Sequence, residues 1–127
     1  MNVMGLVAVG GGAAAGAWLR WALGILLNPI FPTLPLGTVA ANLIGGYLMG
    51  IALGILTHFE SLSPEVQLLI TTGFLGGLTT FSTFSAEAAT LLSREQIGWA
   101  ALHTAVHVIG SVALTFAGIA TMRLFLR

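Results

Sequence analysis

A chain of 127 residues that is 57 % hydrophobic, 6 % charged and of mean hydropathy +1.01 lacks the polar surface of a water-soluble domain, where roughly 25 % of residues are charged. Formal net charge is zero and lysine and aspartate are absent, which leaves no basis for nucleic-acid binding and no polybasic segment for lipid attachment. With no cysteine, disulfide scaffolds, thiolate metal sites and thiol catalysis are excluded.

A membrane-crossing helix needs about 20 predominantly apolar residues, and four such segments account for nearly the whole chain, as one four-helix transmembrane domain over residues 1–127. Met1-Asn2-Val3-Met4 lacks the positive n-region of a secretory signal, so it is expected to stay with the first span. That span runs over 3–27 and stops at Asn28-Pro29. After the proline-rich 29–35 connection, a second covers 36–56. A third opens at Ser63-Pro64-Glu65, where a capping serine, a proline at the first helical position and a first-turn acid coincide. It continues to about Leu92, and a fourth covers 96–126.

Four spans put the N-terminus, the 57–65 loop and the C-terminus on one side, with Arg123 and Arg127. Arg20 and Arg94 fall on the other, so the positive-inside rule assigns no orientation. A chain without bias can insert both ways, and two opposed copies can pair about an axis in the membrane plane. Gly12/Gly16, Gly46/Gly50 and Gly50/Gly54 have the spacing that permits close helix approach, between copies or within one. Since four helices scarcely enclose a cavity alone, a homodimer is expected.

The chemistry concentrates in the third span. Thr79-Thr80-Phe81-Ser82-Thr83-Phe84-Ser85 sets five hydroxyls and two rings, without a charge, at membrane depth. Polar groups there are costly unless they line a path or join helices. The preceding Gly73, Gly76 and Gly77 weaken a helix, and a break is predicted at Gly76-Gly77. A break at this depth survives only when buried or lining water. It frees carbonyls for a cation and presents a half-helix N-terminus to an anion; the alternative is a packing kink with threonines bonded back to i−4 carbonyls. Phe81 and Phe84 share a helix face, and their ring edges carry partial positive charge.

On the fourth span His103, His107, Ser111 and Thr115 recur every four residues as a polar stripe. Asn42, on the second, shares a face with Gly45, Gly46 and Met49. Together these offer neutral donors, suited to admitting an ion and releasing it. Glu87 is the one acid well inside an apolar segment and is assigned to a vestibule, with a proton carrier as the alternative. Arg20, beside Trp18 and Trp21, reads as an interface anchor with a second role at a pore mouth.

From Gly73 to Glu87 the chain closely resembles the Fluc (CrcB-type) fluoride channels, through Gly76-Gly77-Leu78-Thr79-Thr80-Phe81-Ser82-Thr83-Phe84-Ser85. Gly16-Ala17-Trp18-Leu19-Arg20-Trp21, the Pro35-to-Leu43 segment and the His107-to-Thr115 stretch extend the likeness over nearly the whole length. The resemblance implies an antiparallel, dual-topology homodimer with two fluoride pores in a bacterial cytoplasmic (inner) membrane, protecting the cell from fluoride. It further implies a structural Na⁺ on the two-fold axis, held by the backbone carbonyls of Gly76 and Thr79 from both copies. Phe81 and Phe84 would be the paired pore phenylalanines, Asn42 the pore-lining amide, and Ser111 and Thr115 part of a polar track, with Ser82, Thr83 and His107 on the same pathway. Some members carry tyrosine near His103 or Thr104, and His103 receives no role.

The competing reading is a proton-coupled small-multidrug-type antiporter, which needs a carboxylate deep in the first span; residues 3–19 contain none. A non-transporting adaptor predicts that ion flux ignores Asn42, Phe81 and Phe84. An enzyme is disfavoured, because the serines lack a base and His103 and His107 lack carboxylate ligands or orienters in the sequence pattern.

Overall fold

The computed structural model describes all 127 residues, and they are helical almost throughout. Helix α1 spans Val3–Leu27, opened by Asn2, whose Oδ1 accepts the Gly5 N–H at 2.7 Å. A 3₁₀ turn at Asn28–Ile30 follows, and α2 spans Leu36–His58. Asn28 ties the two together, its Oδ1 accepting the Gly37 N–H at 2.7 Å in the first turn of α2.

The third span starts as expected. Ser63 Oγ accepts the Val66 N–H at 3.2 Å, and α3 (Pro64–Leu68) leads into a π-helical segment, Leu69–Leu75. A short α4 (Gly76–Leu78) and a longer α5 (Phe81–Ser93) complete it. A tight turn with Glu95 at φ 59° leads to α6, Ile97–Phe125. Four segments are long and apolar enough to cross a membrane: Val3–Ile30, Leu36–His58, Pro64–Ser93 and Ile97–Phe125.

The predicted break at Gly76-Gly77 is corrected by position. Both glycines are helical, whereas Thr79 (φ −85°, ψ 157°) and Thr80 (φ −147°, ψ 116°) are extended. The cause lies in hydrogen bonding rather than helix propensity. The Thr80 N–H bonds to Asn42 Oδ1 at 2.7 Å, and Thr80 Oγ1 caps α5 by accepting the Thr83 N–H at 3.1 Å. Gly77 serves a contact instead: a Cβ there would strike the Ala13 carbonyl of α1.

Glycine notches set the packing. Gly12 and Gly16 of α1 press on the backbone of the third span, a Cβ at Gly12 lying 2.5 Å from Leu69 O and one at Gly16 striking Phe74 O. Gly46, Gly50 and Gly118 do the same for the α2–α6 pair. All three spaced glycine pairs are thus engaged within one chain, and they give no support to assembly. Ala41, Ala52, Leu75 and Leu78 meet inside, while Trp18, Trp21, Ile109, Phe116 and Phe125 face outward. That inside-out distribution suits hydrocarbon surroundings, where close backbone packing replaces burial of large side chains.

Candidate functional site

The interruption at Thr79-Thr80 sits beside a groove of about 450 Å³ between α2, the third span and α6. Asn42, Gly76, Thr79, Phe81, Phe84, His107, Ser111 and Thr115 all line it, which unites residues that the sequence holds up to 73 positions apart. Ser82 and Thr83 do not join them. Ser82 is exposed, and Thr83 faces the cavities that hold Arg20 and Glu87.

Asn42 organises the break. Its amide oxygen accepts the Thr80 N–H, and its Nδ2 donates to Thr80 O at 3.1 Å and to His107 Nδ1 at 3.0 Å. Bonds to both the N–H and the C=O of Thr80 fix which way the amide points, so His107 Nδ1 must be the acceptor. The remaining proton therefore sits on His107 Nε2, an assignment from the network. Nε2 is buried and has no partner.

Other expected donors are engaged internally. Thr115 Oγ1 gives its proton to Gly46 O and Ser111 O, both at 2.9 Å, and Thr79 Oγ1 gives its own to Leu75 O at 2.9 Å. The Ser111 hydroxyl faces the groove without a hydrogen bond to the rest of the chain. The donor ladder expected from sequence thus reduces to Ser111 Oγ, His107 Nε2 and the ring edges. Phe81 and Phe84 lie with centroids 5.6 Å apart and planes inclined at 50°. Phe84 is buried against both histidines, whereas Phe81 is 79 % exposed on the groove.

The break also releases carbonyls. The Thr80 N–H, the usual donor to Gly76 O, is taken by Asn42, and the Thr83 N–H, the usual donor to Thr79 O, is taken by Thr80 Oγ1. A Cβ at Gly76 would meet only Thr71 O, at 3.7 Å, so this stretch of backbone is open to an approaching ion. Gly77 O is covered by Arg20, whose Nε donates to it at 3.0 Å. Arg20 therefore directs its guanidinium to the break, while the neighbouring Trp18 and Trp21 stay exposed.

Glu87 lines a separate cavity of about 300 Å³ with Pro32, Thr33, Arg94 and Gln96, near one end of the bundle. Its Oε2 accepts from Thr38 Oγ1 at 2.7 Å, and its Oε1 lies 3.5 Å from His103 Nε2. His103 is fully buried, stacked on Phe84 at 5.1 Å and edge-on to His107 at 4.4 Å. It is the residue for which sequence assigned no role, and Glu87 is a carboxylate orienter that the sequence spacing did not reveal. Glu87, His103 and His107 have one ligand-type atom each within 4.8 Å of one another. The Asn42–His107 bond engages one histidine lone pair, however, and leaves an N–H at the other nitrogen. That arrangement suits a hydrogen-bond acceptor, not a cation.

The model of the family described as CrcB-like protein, Camphor Resistance (CrcB) matches residues 7–119, a stretch that contains every lining residue of the groove. A protein of Aromatoleum aromaticum named fluoride-specific ion channel FluC is 60 % identical over 119 residues, covering 94 % of this chain and 91 % of its own. Proteins of the same name from Nitrosospira multiformis and Cupriavidus necator are each 56 % identical, over 97 % and 98 % of this chain and 96 % and 98 % of theirs. The chain belongs to the CrcB family.

Proposed function

We propose that this chain is a fluoride-selective channel that lets F⁻ leave the cell passively across the bacterial cytoplasmic membrane. The observation that carries the reading is the groove at the broken span, where neutral donors and two phenyl rings converge and no fixed charge is present. Kinship with proteins named as fluoride-specific channels supports the choice of ion.

The chemistry follows from the donor set. A small halide gives up its water only where other donors replace it. Ser111 Oγ and His107 Nε2 supply hydrogen bonds, and the edges of Phe81 and Phe84 supply partial positive charge. Being neutral, they bind weakly enough for the ion to move on. Arg20, the nearest cation, is turned to Gly77 O and does not hold the anion in place.

The active form in this reading is an antiparallel, dual-topology homodimer. Phe81 stands open on the groove, and the groove lacks a wall on that side; a second copy supplies it. The even arginine distribution, Arg123 and Arg127 against Arg20 and Arg94, permits insertion both ways. Gly76 and Thr79, whose carbonyls have lost their usual helical donors, would hold a Na⁺ together with the same residues of the second copy. Bound there, the ion would supply fixed positive charge between two anion paths.

The test is fluoride-electrode recording of efflux from liposomes containing the purified protein, with valinomycin to balance charge. Rapid fluoride release with little chloride release is expected; equal release of both halides would refute the reading. The antiporter alternative fares poorly because α1 carries no carboxylate.

A further inference from the structure

The end of the bundle farthest from Glu87 holds a second kind of cavity. About 620 Å³ lies between the last turns of α2 and α6, a larger volume than the groove. One part of its wall is apolar, from Leu53, Ile119, Met122 and Leu126. The other is cationic or polar, from Thr57, His58, Arg123 and Arg127.

We infer that this cavity binds the phosphodiester headgroup of an anionic lipid at Arg123 and Arg127, with the start of an acyl chain along Leu53 and Met122.

The charge pattern is selective. Two of the four arginines of the chain line this cavity and none of its four acids does. The cavity at the opposite end carries both signs, Glu87 with Arg94. Arg123 lies in the last turn of α6 and Arg127 just past its end, both lining the cavity, and the one ion pair in the chain is His103–Glu87. Their guanidinium groups are thus without a carboxylate partner. The fold brings Thr57 and His58 at the end of α2 beside these two cations. They stand where two membrane-crossing helices end, at the depth of lipid headgroups. Guanidinium forks match phosphate oxygens well, and basic pockets between membrane helices recognise anionic headgroups. The mixed wall follows the polarity of a lipid from headgroup to chain, which a free phosphate would leave half unused.

The inference is independent of what the groove conducts. Its test measures binding of phosphatidylglycerol to the purified, detergent-solubilised protein by native mass spectrometry. Arg123→Gln/Arg127→Gln should weaken phosphatidylglycerol binding by roughly thirtyfold, about fivefold per arginine. Arg94→Gln should leave it unchanged, and unchanged gel-filtration elution reports folding of each variant. With the unaltered protein, raising salt should also weaken binding, a measurement that needs no variant. Phosphatidylcholine binding as tightly, soluble glycerol phosphate competing at equal concentration, a salt-insensitive complex, or a double variant that keeps full affinity would each overturn the inference.

Discussion

Replacing Asn42 with aspartate tests the groove most sharply, because it keeps the shape and changes two things that the structure defines. Asn42→Asp retains an oxygen for the Thr80 N–H, which bonds to Asn42 Oδ1 at 2.7 Å. It loses the donors that face His107 Nδ1 at 3.0 Å and Thr80 O at 3.1 Å. A carboxylate there demands a proton from Nδ1, so the His107 proton shifts from Nε2 to Nδ1 and the groove loses a donor. It also gains a charge. A carboxylate ~5 Å from a passing halide, at an effective dielectric of about 20, repels it by about 3 kcal/mol, on the order of a hundredfold in occupancy. Fluoride efflux at pH 8 should therefore fall by roughly that factor. Nitrogen-15 spectra of labelled histidine should show the exchange of protonated nitrogen at His107. Asn42→Leu separates clamp from charge: it removes three hydrogen bonds, worth about 2 kcal/mol together at ~0.6 kcal/mol each, and should lower the thermal midpoint more than Asn42→Asp. Wild-type flux through Asn42→Asp, or an unmoved His107 proton, would refute the reasoning.

Ser111→Ala and Thr115→Val should behave oppositely. Ser111 has an unengaged hydroxyl, so its loss should cut fluoride flux about tenfold with no change in thermal midpoint, given ~1.5–3 kcal/mol for a hydrogen bond to a charged group. Thr115 donates to two carbonyls, so its loss should cost ~0.6–1.7 kcal/mol of stability and little flux, by thermal unfolding and electrode assay. Gly16→Ala should destabilise by about 1–3 kcal/mol or more, because its Cβ meets the Phe74 backbone, whereas Gly10→Ala, with nothing within 4 Å, should be silent; thermal unfolding of the pair decides. Glu87→Gln keeps an oxygen for Thr38 Oγ1 and should change fluoride flux less than about twofold, the scale of a few tenths of a kcal/mol. Proton-gradient-driven uptake that vanished in Glu87→Gln would instead favour an antiporter.

Local chemistry was legible in the sequence, and long-range pairing was not. The start of the third span at Ser63-Pro64-Glu65 and the stop of α1 at Asn28 depend on neighbours within a turn, and the structure places both there. The π segment Leu69–Leu75 left no periodic trace in a uniformly apolar stretch. Its visible hydrogen-bond signature is local but unusual, with the Gly76 N–H bonded to Thr71 O. Glycine propensity points to Gly76-Gly77, whereas the break is set at Thr79-Thr80 by Asn42, 38 residues from Thr80. Arg20 turned inward for the same kind of reason: Gly77 O, 57 residues away, accepts from it. Spaced glycines carry no information on whether their partner helix belongs to the same chain.

Which polar groups hold the fold and which are left to act is the distinction that matters at membrane depth. Asn42, Thr79 and Thr115 sit on the groove, yet each directs its donors to a named carbonyl or ring nitrogen of the chain. Ser111 and His107 sit on the same groove with a donor left over. The two sets depend on each other, since Asn42 determines which His107 nitrogen keeps its proton and Thr115 takes the carbonyl of Ser111 without taking its hydroxyl. An unpartnered buried donor costs about 1–3 kcal/mol, and membrane helices have no water with which to offset it. An acceptor that visits and leaves is the occupant such a donor fits, and a carbonyl supplied permanently by the protein would have closed the path.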